Sequence, residues 1–384
     1  MIWIALAAGV LGWADVPVKV SDYAGLRRAL ANAKPGTTIL LEPGDYAGGF
    51  QIEGVTGTAK EPIVVGGRDP KHPPRIVGGG LHFVSVAHLE VRDLFVVGPG
   101  GNGVNTDDGG VREKPAHHVT YRRITVTDYT GRGDVGLKMA GVDDFQIVDC
   151  DVRAYDTCGV DFVGCHRGVV EDCRFERGVG VGVQAKGASA NVVVRACRVK
   201  DYGARGVNLG GSTGIPYFRP PLERTPAGDR YEAKDVEVVG CTFEGGDAPI
   251  AFAGADGGNV HHNTIYVPSK WAVRILQETA TPDFVPSRNG VFAHNLVVFR
   301  SDRWLEGGVN VGPNTAPKTF TFADNVWYCL GAPKKSQPTL PTAEKGGVVG
   351  RDPLLVDPAK GDFGVRSGSP AKSAGAHAAG TATK

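Results

Sequence analysis

The chain has 384 residues, of which 56 are glycine, about twice the usual share of roughly 7%. Lys and Arg (42) balance Asp and Glu (41), and the net charge of +1 excludes the strongly basic surface of a nucleic-acid protein. A hydrophobic share of 41% excludes gross disorder, and glycine without a collagen period points to many turns between short strands.

Residues Ile2–Trp13 are almost wholly apolar, with Gly12 and Ala14 placed for a cut before Asp15. This reads as a signal peptide over 1–14 and predicts a secreted or periplasmic protein. The run is shorter than the ~20 residues that span a bilayer, and no later segment qualifies. Helical periodicity is clear only near Tyr23–Ala33 (YAGLRRALANA), which predicts a helix capping an open sheet end.

Beyond it the sequence repeats. One phrase, apolar residues around a Cys or Asn, recurs as IVDCDV, VVEDCRF, VVRACRV, VVGCTF, NVHHNTI, VFAHNLV and TFADNVW. Its anchors are Cys150, Cys173, Cys197, Cys241, Asn263, Asn295 and Asn325, spaced 23, 24, 44, 22, 32 and 30 residues apart. A second phrase alternates with the first: GVNTDDG, GLKMAG, GVDFVG, GVQAKG, GVNLGG, PIAFAG, AVRILQ and GVNVGP. A coil of about 23 residues with several short strands and no helical period predicts a right-handed parallel β-helix, successive coils stacking at about 4.8 Å. A β-propeller needs repeats of about 40 residues, too long for this spacing. The expected layout is the solenoid over 15–350, an insertion at 212–234 and a closing segment over 351–384.

The anchor column should point inward, with stacked amides bonding the turn backbone and thiols packing as small apolar groups. Cys150–Cys173 and Cys197–Cys241 fall within disulfide range on adjacent coils. With seven cysteines and no CxxC pair, at least one thiol is left over, and no structural zinc site is expected. His117–His118 and His261–His262 are adjacent on strands, so each pair should point its rings opposite ways, and no metal site is expected there.

Side-chain alternation in the second phrase fixes an outward row: Asn105, Lys138, Asp161, Gln184, Asn208, Ala251, Arg274 and Asn310. The next outward row holds Asp107, Ala140, Val163, Lys186, Gly210, Ala253, Leu276 and Gly312. Amides, acids and cations over a low floor of Gly and Ala suit a sugar chain lying along the coils. The insertion Ser212–Lys234 brings Tyr217, Arg219 and Tyr231 over this stripe, and Gln277–Gly290 offers a second wall. Aromatic and Arg side chains suit stacking on sugars and holding carboxylates.

Such a face can cut an acidic polysaccharide by β-elimination, which needs a cation for the uronate carboxylate, a base for the C5 proton and a proton donor. Lys186 is the candidate base. Lys138, Arg205 and Arg274 are candidate neutralisers, and Tyr217 or Tyr231 the donor. Lys138, Asp161, Gln184, Asn208, Arg219, Tyr217 and Asn310 are the expected substrate contacts. Hydrolysis would need two carboxyl groups about 5–9.5 Å apart, and Asp107 and Asp161 stand at about 10 Å by coil count. A glycan-binding protein without catalysis needs only the groove.

The opening SDYAGLRRALANAKPGTTILLEPGDYAGGFQI, the segment VQAKGASANVVVRACRV and the closing DPLLVDPAKGDFGVRSGSPAKSAGA resemble right-handed β-helix polysaccharide lyases. The likeness is to the chondroitinase B and alginate lyase family, and at the lysine strand also to family 9 pectate lyases. It implies an exported lyase acting on an acidic polysaccharide, with Lys186 on the base. The family's arginine on the next coil is matched by Gly210, with Arg205 five residues earlier. The acidic calcium ligands that precede its lysine have no counterpart in RGVGVGVQAK, Arg177–Lys186, which leaves the calcium requirement open. A monomer is expected.

Overall fold

The computed structural model describes residues 16–98, 100–279, 281 and 283–381, so the reading of 1–14 as a signal peptide lies outside the described residues. Valine-rich segments with period-2 burial form parallel strands that wind as a right-handed β-helix. One face is a parallel sheet of 10 strands, from Phe50–Glu53 through Val135–Ala140, Cys158–Val163, Val181–Lys186 and Arg205–Gly210 to Val309–Val311. The remaining strands pair coil to coil in the same parallel sense. Among the described residues only Leu355–Asp357 and Asp362–Val365 pair antiparallel.

Each coil turns its corners on residues with positive φ. Asp149, Asp172, Ala196, His262, His294 and Asp324 do so immediately before the anchor column. Inside that corner the asparagines form a ladder. The Asn263 carbonyl oxygen accepts from Cys241 N (2.9 Å), Asn295 from Asn263 N (2.9 Å), and Asn325 from Asn295 N (2.8 Å). Each bond satisfies a buried amide and contributes about 1 kcal/mol. All seven cysteines are free and buried, so neither pair within disulfide range is bridged. The Sγ of Cys173 instead accepts from Cys150 N at 3.4 Å, occupying the place the amide oxygen takes further along.

The helix Tyr23–Ala31 forms where its periodicity predicts one, capped by Asp22, whose carboxylate accepts from Gly25 N at 2.6 Å. It buries Leu26 and Leu30. Near the other end, Ala371 and Ala374 pack on Leu296, Val298 and Val326, outside the main core.

His262 stacks on His294 with ring centroids 4.8 Å apart. Burial first, then the charges of His261, His294 and His377, push its pKa from 6.5 down to about 4. The unfolded chain therefore binds this proton before the folded one does, so stability is whole above about pH 6.5 and declines toward about pH 4. Thermal melts across that window should show a shallower acid loss in His262→Gln than in the wild type. Equal slopes would contradict this account.

Candidate functional site

The register of the 10-stranded face follows the alternation. Asn105 pairs with Lys138, Lys138 with Asp161, Asp161 with Gln184, and Gln184 with Asn208. The row continues through Ala251 and Arg274 to Asn310. It also begins earlier than the sequence reading placed it, since His82 pairs with Asn105. The signal was present in GLHFV, which has the same apolar–polar–apolar order behind a glycine.

A cavity of about 460 Å³ lies over this row. Its lining includes Asp107, Lys138, Asp161, Lys186, Thr213 and Tyr217. The insertion leaves the solenoid after Gly211 and runs back toward the N-terminal coils, forming the cavity wall. Arg219 ends this crossing in a bidentate pair with the fully buried Asp108, with one bond of 2.7 Å from its terminal nitrogen and a second from Nε. Gly141 and Gly164, at φ 66° and 61°, make room for the crossing, because a Cβ at either would run into the Arg219 side chain. Arg219 thus ties the insertion to the coil of Asp108 while also lining the cavity.

Within the cavity Lys186 keeps 20% of its side chain exposed and lies 3.6 Å from Asp161. Asp161 also accepts from Gln184 Nε2 (3.1 Å), Asn208 Nδ2 donates to Gln184 Oε1 (2.9 Å), and Arg205 donates to Asn208 Oδ1 (3.0 Å). Gln184 and Asn208 are buried. Gln184 bonds Asp161 directly, and Asn208 in turn holds Gln184. Lys138 has no hydrogen-bond or ion-pair partner among the described residues and faces the cavity. Tyr217, 62% exposed, stands at the rim.

Arg205, Arg274 and Asn310 lie outside this cavity. Arg274 is three coils beyond the Lys186 strand, about 14 Å away, too far to share one sugar with it. Its Nε donates to Asn310 at 2.9 Å and its guanidinium sits 4.6 Å over Trp271. Burial and then the Arg205 charge push the Arg274 pKa down. Arg205 is engaged by Asn208 and Glu278. Tyr231 packs with Ala188, Phe218, Leu222 and Phe284 between the two insertions. Burial and then the Asp235 and Asp256 charges raise its pKa. None of Arg205, Arg274 and Tyr231 lines the cavity that holds Lys186.

The acids of the cavity do not fit calcium. Asp108 is taken by Arg219, and Asp107 accepts from Asn105 Nδ2 (3.0 Å) and Gly109 N (2.9 Å) and pairs with His82 (2.6 Å). Asp161 is held by Lys186 and Gln184. A calcium ion takes six to eight oxygens, about 2.3–2.6 Å away, and these carboxylates already face cations and N–H groups.

Residues 79–217 match the family described as right handed beta helix region. No curated protein sequence matches the chain. Among solved structures, it is similar to an alginate lyase from Paenibacillus sp. str. FPU-7, with 17% identity and a TM-score of 0.53, covering 77% of this chain and 99% of that one. A PL6 family polysaccharide lyase from Pseudopedobacter saltans matches at 12% identity and TM-score 0.53, covering 94% and 99%. The A-module of a mannuronan C-5 epimerase from Azotobacter vinelandii matches at 14% identity and TM-score 0.57, covering 85% and 93%. At these identities the likeness shows the shared parallel β-helix fold. Among the described residues no helix is long and apolar enough to cross a membrane.

Proposed function

We propose that the protein is an exported polysaccharide lyase that cleaves a uronate-containing chain by β-elimination in the Lys138–Lys186 cavity. One observation carries this reading: an unpaired cation, a candidate base and an exposed tyrosine converge under the insertion, with Lys138, Lys186 and Tyr217 lining one cavity. Lys138 is free to pair with the uronate carboxylate and stabilise the negative charge that grows there. The Lys186 amine, in its neutral form, takes the C5 proton. The C5–H electron pair becomes the C4=C5 double bond as the C4–O4 bond breaks. Tyr217 gives its proton to the departing oxygen. Arg274 and Arg205, further along the same face, suit a second acidic sugar of the chain.

Hydrolysis is less well served, because both oxygens of Asp107 already accept from His82, Asn105 and Gly109. A panel of alginate, pectate and glycosaminoglycans, followed by ultraviolet absorbance of unsaturated uronates, tests the reading. Signal on one polymer is expected, with kcat/KM about 10-fold to 100-fold lower in Lys138→Ala. New reducing ends without absorbance would indicate a hydrolase. Polymer binding without either product would indicate a glycan-binding protein.

A further inference from the structure

The expectation that His117 and His118 point apart fails, and the reason is local. His118 has φ 54°, a corner conformation that breaks strand alternation and brings its ring to the same side as that of His117. Their Nδ1 atoms are 2.9 Å apart. His88, on the preceding coil, has φ 49° and its ring lies against that of His118, tilted by 32° with centroids 4.4 Å apart. The pairing of His117 with Ala87 sets this register. One ring nitrogen from each of the three histidines lies within 4.8 Å of the others.

We propose that His88, His117 and His118 bind one borderline divalent transition-metal ion, of the zinc, nickel or copper class, on the flank of the solenoid. Imidazole nitrogens suit these ions. A tetrahedral ion with metal–nitrogen bonds of about 2.0–2.1 Å spaces its ligand atoms about 3.3 Å apart, so nitrogens already within 4.8 Å of one another need to draw in by at most roughly 1.5 Å. Asp144 follows His118 in the same column, but Arg167 holds both its oxygens, at 2.8 and 3.0 Å. That leaves a three-nitrogen set with water in the fourth position. None of the three histidines lines the Lys186 cavity, so the site is separate from the proposed chemistry. Because the ligands come from two successive coils, the ion would pin those coils together.

His261, His262 and His294 provide an internal contrast. The His262 and His294 rings lie flat on each other at 18°, and His261 Nε2 is tied to Glu237 at 2.9 Å. Among the described residues these three do not bring their nitrogens together as the first three do.

The test is calorimetric titration of untagged, chelator-treated protein with zinc and with nickel chloride. The wild type, His88→Asn, His118→Ala and the contrast variant His262→Gln are compared. One ion per wild-type chain is expected, with affinity about tenfold or more weaker in His88→Asn and His118→Ala and unchanged in His262→Gln. The melting temperature should rise with metal in the wild type and His262→Gln only. Electron paramagnetic resonance of copper-loaded wild type should show several coordinated imidazole nitrogens, a readout independent of variant folding. Absence of binding by the wild type, undiminished binding by His118→Ala, or loss in His262→Gln alone would overturn the site.

Discussion

Lys186→Ala is expected to lose the proposed lyase turnover by about 10²-fold to 10⁴-fold, the range that general-base removal costs, while remaining folded. Lys186 sits on a central strand of the 10-stranded face and beneath the insertion wall. Its one ion pair, to Asp161 at 3.6 Å, is not the sole support of that acid, which Gln184 also holds. Stability should therefore change by no more than about 1–2 kcal/mol. Lys186→Arg should be as inactive as the alanine variant, because a guanidinium keeps its proton in water and cannot accept another. Ultraviolet progress curves beside thermal melts of the same samples separate the two effects. Full activity in Lys186→Arg would remove the lysine from the base role and leave the cavity's other groups to be tried.

The stripe was legible in the sequence because its information is local. Period-2 alternation behind a glycine fixes which side chains face outward, and a repeat of about 23 residues fixes what stacks on what. The row from Asn105 to Asn310 therefore stands in the predicted register. What each polar residue does was not legible, because that depends on partners brought by distant segments. Asp108 stands next to Asp107 in the sequence, yet its partner Arg219 is 111 residues away. Arg205 and Arg274 looked like free cations near the lysine, yet each coil crossed adds about 4.8 Å. The histidine pairs misled for a different reason. Alternation holds only in continuous strand, and His118 and His262 occupy corner positions with positive φ.

The second large effect is expected at Glu232, a residue that no repeat or motif singles out. Its carboxyl group is wholly buried and accepts from Gly187 N (2.9 Å), Thr213 N (2.9 Å), Thr213 Oγ1 (2.6 Å) and the Thr279 hydroxyl. Those donors belong to the turn after Lys186, the start of the first insertion and the start of the second. One side chain thus fastens both walls to the strand that carries the candidate base. Phe218 and Phe284, one from each wall, meet with ring centroids 5.3 Å apart and complete the join. Removing the carboxyl leaves buried donors unsatisfied, at about 1–3 kcal/mol for each that water cannot reach. Glu232→Ala should therefore lose about 3–5 kcal/mol of stability. Glu232→Gln keeps one acceptor oxygen but turns an NH₂ toward N–H groups, so it should fall between alanine and wild type. Limited proteolysis should cut within 212–234 much faster in the alanine variant, and polymer cleavage should fall even at temperatures where the solenoid remains folded. If proteolysis and melting were both unchanged, the walls would be held by Arg219–Asp108 and the aromatic contact alone. The double variant with Arg219→Ala would then show the loss that the single one did not.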